Sequence, residues 1–212
     1  MKTLNKIAVY CGSNFGSTPD YYEAAKLMGQ TLAKQNIELV YGGGNVGLMG
    51  TIADSILNNG GVVTGVIPTF LKRKEVAHKG LTKLIETPDM ATRKYKMIEL
   101  ADGFIAMAGG IGTLEELYEV LSLLQLRQHA KPIGILNTNG FFDPFLSTLK
   151  KCTDEGFMPK ENLSLVCIAT NPDDLLEQMR HFEFIDVQKW VNPAWLDEAN
   201  TLNNNNHLLY QK

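Results

Sequence analysis

An α/β fold, a single domain built on a doubly wound parallel sheet flanked by helices, is what the amino-acid sequence predicts. Three observations carry that expectation. Short apolar, β-branched runs alternate with amphipathic stretches almost from end to end. The apolar runs do not alternate in polarity, so both faces of each strand are to be buried, as in a sheet with helices on either side. The chain's 212 residues suffice for one large domain with a complete core, and two domains would be a squeeze. The pattern is Rossmann-like, and in such folds ligands gather at the carboxyl ends of the strands.

The elements follow in order. KIAVYCG is a strand, and Thr18 then Pro19 cap a helix through about Lys34. IELVYGGG is the second strand, followed by a helix from about Val46 to Asn58 that Gly60 and Gly61 terminate. Strand VVTGVIP leads into a loop from about Thr69 to Gly80, then strand LTKLIET, a helix from Met90 to Leu100, and strand GFIAMAGG. Helix TLEELYEVLSLLQLR, strand PIGILN, helix DPFLSTLKKCTDE, strand LSLVCIAT and helix PDDLLEQMRHF complete the series. The Rossmann-like domain is thus expected over residues 1–186, and the Asn-rich extension 187–212 is expected to be irregular.

Composition narrows the function. The chain is 44% hydrophobic and 20% charged, as an ordinary globular protein is. Its formal net charge of −3 argues against a nucleic-acid partner, because neutralising many phosphates takes a basic excess. The sequence holds no apolar stretch of about 20 residues for a membrane span, and its start has too short an apolar run for a signal peptide. The expected location is cytoplasmic. Three cysteines without a C-x-x-C pair and four scattered histidines suggest neither a disulfide framework nor a metal site.

Four strand ends carry special residues. In YGGGNVGLMG, Gly42, Gly44 and Gly47 match G-x-G-x-x-G, but the next strand ends VIPTF without the acidic residue a dinucleotide's ribose requires. AGGIGTLEEL combines more. Gly109, Gly110 and Gly112 leave backbone N–H groups uncovered before a helix, and the Thr113 hydroxyl can join them on a phosphate. The same letters read equally as a T-x-x-E capping box, with Glu116 reaching back to the Thr113 N–H. On the preceding helix Met90, Arg93, Lys94 and Met97 share one face, two cations among flexible apolar side chains. Beside a phosphate cradle, that face suits a nucleotide, with its base against methionines.

These residues resemble the LOG family of cytokinin riboside 5'-monophosphate phosphoribohydrolases, whose bacterial members were once labelled lysine decarboxylases. The family's P-G-G-x-G-T-x-x-E reads here as Ala108 to Glu116, and its R-K pair as Arg93 and Lys94. VYCGS, YGGGNVGLMG and KPIGILNTNGFFDPFL are similar too, and the resemblance extends over roughly residues 6 to 180. Ala108 stands where the motif has proline, and Ala91-Thr92 where many members have a histidine and an acidic residue.

The resemblance implies hydrolysis of the N-glycosidic bond of a nucleoside 5'-monophosphate, with no cofactor, by a homodimer. It implies Arg93 and Glu116 as catalytic residues. The nucleotide-binding set it implies is Ser13, Gly43, Gly44, Met90, Lys94, Gly109, Gly110, Gly112 and Thr113. Neighbouring helix positions point about 100° apart, so Glu115 and Glu116 cannot form the facing carboxylate pair of O-glycosidases. The motif selects Glu116, leaving Glu115 solvated or stabilising the helix dipole. Three other readings stand beside this one: a nucleotide or molybdenum-cofactor carrier of similar fold, a pyridoxal-phosphate lysine decarboxylase, and a thiol enzyme using Cys11.

Overall fold

A computed structural model describes residues 1–72, 77–186 and 195–196. Seven strands, β1 (Lys6–Tyr10), β2 (Glu38–Tyr41), β3 (Val63–Pro68), β4 (Lys83–Thr87), β5 (Gly103–Ala106), β6 (Ile133–Leu136) and β7 (Val166–Ala169), form one sheet in the order β4-β3-β2-β1-β5-β6-β7. Every neighbouring pair is parallel; Ile7 of β1, for example, registers with Leu39 on one side and Gly103 on the other. Strands β3, β5 and β6 are buried along their whole length, as their unbroken apolar runs require.

Among the described residues, seven helices connect and cover the strands: α1 (Pro19–Lys34), α2 (Gly47–Asn58), α3 (Thr69–Lys72), α4 (Met90–Leu100), α5 (Ile111–Gln125), α6 (Asp143–Asp154) and α7 (Pro172–Arg180). The chain runs outward from β1 to β4, then returns through α4 to start again at β5 beside β1. Right-handed crossovers in opposite directions put α1 and α2 on one face and α4 and α5 on the other. In agreement, α1 packs on α2 and α7, and α4 on β1 to β4. The reversal leaves a crevice between the ends of β1 and β5, where doubly wound folds bind ligands.

The structure corrects several boundaries. The expected loop from Thr69 begins as the short helix α3. The last strand starts at Val166, because Lys160–Leu165 forms a 3-10 turn. Helix α5 begins at Ile111 with Gly110 as its N-cap, two residues before the expected start, and Thr113 lies inside it. The capping-box reading is therefore overturned: Thr113 caps nothing, and Glu115 and Glu116 fall beyond the first turn. The extension 187–212 lies, but for residues 195–196, outside the described residues.

Two sheet edges remain. β4 presents Lys83 and Glu86, with Glu86 paired to Lys72 of α3. On β7, the Gln178 side chain of α7 both accepts from the Ile168 N–H (3.1 Å) and donates to the Ile168 carbonyl (3.0 Å). Among the described residues no helix is long and apolar enough to cross a membrane.

Candidate active site

Arg93 and Glu116 meet at the crevice. Helix α4 is capped by Asp89, whose carboxylate accepts from the Thr92 N–H at 2.7 Å, and its inward face carries Arg93 and Met97. That fixes Arg93 one turn into the helix, 8% exposed, with its Nε–H donating to the Val66 carbonyl of β3 (3.1 Å). Its Nη1 donates to Glu116 Oε1 at 2.7 Å across to α5. Gly42 makes this position available: a Cβ there would come within 2.5 Å of Arg93 Nη2.

Glu116, also 8% exposed, has its carboxyl held above the ordinary glutamate range. Burial is the main cause, and the Arg93 guanidinium beside it offsets only part of the rise. Glu115 also lines the cleft, but its carboxylate bonds the Lys94 ammonium, which Glu119 engages too at 3.1 Å. Burial pulls Lys94 down, but the two carboxylates outweigh it and its acidity is weaker than that of a free lysine.

The opposite wall is the start of α5. The first-turn N–H groups of a helix have no intrahelical partners, and the N-cap Gly110 offers no side-chain acceptor for them. A Cβ on Gly110 or Gly112 would meet nothing within 4 Å, so packing does not explain these two glycines. They leave backbone open to the crevice, where the helix dipole favours an anion. Gly109 is different, because a Cβ there would sit 2.2 Å from the Thr113 hydroxyl and 2.8 Å from the Gly12 nitrogen. With Gly12 N–H donating to the Ala108 carbonyl (3.0 Å), the loops after β1 and β5 are locked together.

Between these walls lies a cleft of about 270 Å³. Of the residues expected from sequence, Ser13, Met90, Arg93, Gly110, Gly112, Thr113 and Glu116 line it. Gly109 lines an adjoining apolar pocket of about 190 Å³ with Tyr21 and Phe141. Gly43, Gly44 and Lys94 line neither. Gly43, at φ +79°, backs against Ile67, Gly44 bridges to Ala77, and Lys94 is turned to its carboxylates. Sequence reasoning missed Met49, Leu71, Gly12, Ile111 and Glu115 in the lining. Met49 sits within the quoted GLMG run, whereas Leu71 comes from a segment with no periodic signal.

Cys11 also lines the cleft, but burial and the neighbouring Glu116 push its thiol far up, so it is held neutral and is a poor nucleophile. No lysine is among the described residues lining the cleft. No group of three or more histidine, cysteine or acidic side chains among the described residues is arranged to hold a metal ion.

Comparison with known proteins gives a consistent picture. A family model described as "Possible lysine decarboxylase" matches residues 49–179. A probable cytokinin riboside 5'-monophosphate phosphoribohydrolase of Oryza sativa subsp. japonica is 39% identical over 192 residues, 88% of this chain and 79% of that protein. One from Arabidopsis thaliana is 41% identical over 180 residues, covering 85% and 83%. Among solved structures, the molybdenum cofactor binding protein of Rippkaea orientalis superposes with a TM-score of 0.63 at 23% identity, covering 85% of this chain and 98% of that one, a likeness of fold. Identity at this level, spread across nearly the whole chain, places the protein in the LOG family of cytokinin riboside 5'-monophosphate phosphoribohydrolases.

Proposed function

We propose that this chain hydrolyses the N-glycosidic bond of a purine or cytokinin nucleoside 5'-monophosphate of the AMP type. Water adds across the bond, giving ribose 5-phosphate and the free base, which leaves with a proton. One observation carries the reading: a buried Arg93–Glu116 pair faces a helix start whose first-turn N–H groups are open to the same cleft.

The two walls suit the two ends of the reaction. Phosphate rests on the backbone of Gly110 and Gly112 with the Thr113 and Ser13 hydroxyls, anchoring the substrate so that binding energy orients it. Breaking the glycosidic bond develops positive, oxocarbenium-like charge on the ribose. Glu116, five residues and about 7.5 Å along α5 from Ile111, supplies a negative charge where that cation forms, and a desolvated carboxylate acts strongly there. A guanidinium is a poor proton donor, so the role of Arg93 is to hold and orient Glu116 and the substrate. Met90, Met49 and Leu71 offer the base an apolar wall. Gly109, Gly43 and Gly44 act from behind by fixing the loops, and Lys94 acts through Glu115 on α5. The reading requires no cofactor or metal, and takes the protein as a cytoplasmic homodimer that does not bind nucleic acid.

The test is chromatography of AMP, adenosine and isopentenyl-AMP after incubation with the protein. The expected result is free base and ribose 5-phosphate from a monophosphate but not from adenosine. Glu116→Gln is expected to lose at least about 100-fold in kcat, the scale of removing one transition-state electrostatic group, while still binding nucleotide. Thr113→Ala is expected to weaken monophosphate binding more than nucleoside binding; equal effects would remove the phosphate from the cradle. Near wild-type turnover in Glu116→Gln would overturn the role of Glu116. A nucleotide or pterin cofactor retained through purification, with no product from any monophosphate, would favour a carrier. A lysine Schiff-base enzyme is disfavoured because the Lys94 ammonium is engaged by two carboxylates.

A further inference from the structure

The geometry points to His78 as a positioning residue: with Asp54 it pins residues 77–80 onto the Gly42–Gly44 turn, and through that turn it holds Arg93 against Glu116. His78 sits in the stretch that sequence alone reads as a loop, and none of the roles assigned above uses it.

Its ring bonds on both sides. Nδ1 accepts from the Gly80 N–H at 3.0 Å, which fixes the tautomer with hydrogen on Nε2, and Nε2–H then donates to Asp54 Oδ1 of α2 at 2.9 Å. The His78 side chain is nearly buried, whereas Asp54 is largely exposed. The backbone alongside is tied to the glycine turn: His78 N–H donates to the Gly43 carbonyl at 3.0 Å, and Ala77 bridges Gly44 in antiparallel fashion. From the other side, the buried Tyr41 hydroxyl donates to the Gly44 carbonyl at 3.1 Å.

The turn so held abuts the catalytic pair. Gly43 needs its positive φ, and Gly42 lies close enough to Arg93 Nη2 that not even a methyl group fits between them. A shift of this turn toward α4 therefore displaces the guanidinium, and with it Glu116. The clamp thus serves the arginine through the glycine turn. A misplacement of about 1 Å at a reacting group costs up to about 100-fold in rate, so a clamp of two hydrogen bonds is an effective lever on turnover.

This inference rests on the phosphoribohydrolase reading for its kinetic readout, and the experiment separates the two. His78→Ala, His78→Gln and Asp54→Ala are compared with wild type in kcat and KM for a monophosphate that the wild type hydrolyses. NMR follows the Arg93 Nε–H signal and the exchange of the residue-78 amide. His78→Ala is expected to lower kcat about tenfold, within the range such misplacement allows, with KM changed less than about threefold. The residue-78 amide should exchange faster and the Arg93 signal should move. His78→Gln, which keeps a donor for Asp54, should recover most of the loss. Adding Asp54→Ala to His78→Ala should cost little more, as partners in one interaction do. Unchanged kcat, a loss carried entirely by KM, or an unmoved Arg93 signal would each overturn the positioning role. If the wild type turns over no monophosphate, the functional reading fails, and the NMR readouts alone decide the clamp.

Discussion

At the scale of single residues, the site turns on one carboxyl group kept in an uncomfortable place. Burial raises Glu116 and Arg93 lowers it, with burial ahead. A carboxyl whose folded pKa exceeds its unfolded value contributes most to stability below the unfolded pKa, and that contribution is lost as pH rises through the folded one. The ionised form that the reaction uses is therefore the form that folding disfavours. Turnover is expected to fall on the acid side with a midpoint above the ordinary glutamate value of about 4.3. Over the same window, the stability of wild type relative to Glu116→Gln should decline as pH rises. Paired kcat/KM and denaturation profiles against pH check both signs; parallel profiles would mean Glu116 titrates as an exposed residue does. Asp89 behaves oppositely, because the Thr92 N–H holds its carboxyl below the usual range. Its contribution is present above the unfolded pKa and lost as pH falls through the folded one.

At the scale of elements, the glycines around the cleft divide into those that packing requires and those it does not. Gly42→Ala drives a methyl group at Arg93 and is expected to cut turnover with the fold retained, whereas Gly110→Ala meets no protein atom. Gly110 has φ −90°, which alanine adopts freely, so its melting temperature should match wild type while nucleotide affinity falls. Calorimetry and binding on the two variants separate these effects. An unaffected affinity in Gly110→Ala would mean that no ligand approaches there. Sequence letters alone do not make this division. They did reveal the alternation of elements, the Met90–Met97 face that turns inward, and the Gly-Gly-x-Gly-Thr turn, because periodicity and glycine clustering are local signals. They misplaced the start of α5, since Thr113 is a good N-cap by type while the observed cap, Gly110, competes only through its freedom of conformation. They assigned Gly43, Gly44 and Lys94 to a cleft that these residues support from outside, because which side of a turn faces the ligand depends on strands distant in sequence. Gln178 and His78 gave no signal at all, being ordinary polar residues whose partners are fixed by tertiary folding.

At the scale of the molecule, the sheet order places the whole arrangement. The reversal between β1 and β5 brings the loops after both strands to one point, and α4, crossing back over the sheet, carries Arg93 there. The same all-parallel order ends in two edges, and among the described residues the one at β7 is met by the Gln178 side chain. The Gln178 amide occupies the N–H and the carbonyl of Ile168, the two groups an incoming strand would use. At Ile168 that rim is therefore closed to templated growth: a second copy finds no backbone valence there to extend the sheet. Gln178→Ala reopens the rim and should show as concentration-dependent light scattering in a protein that still folds, whereas unchanged scattering would mean that β7 is guarded by something other than this one amide.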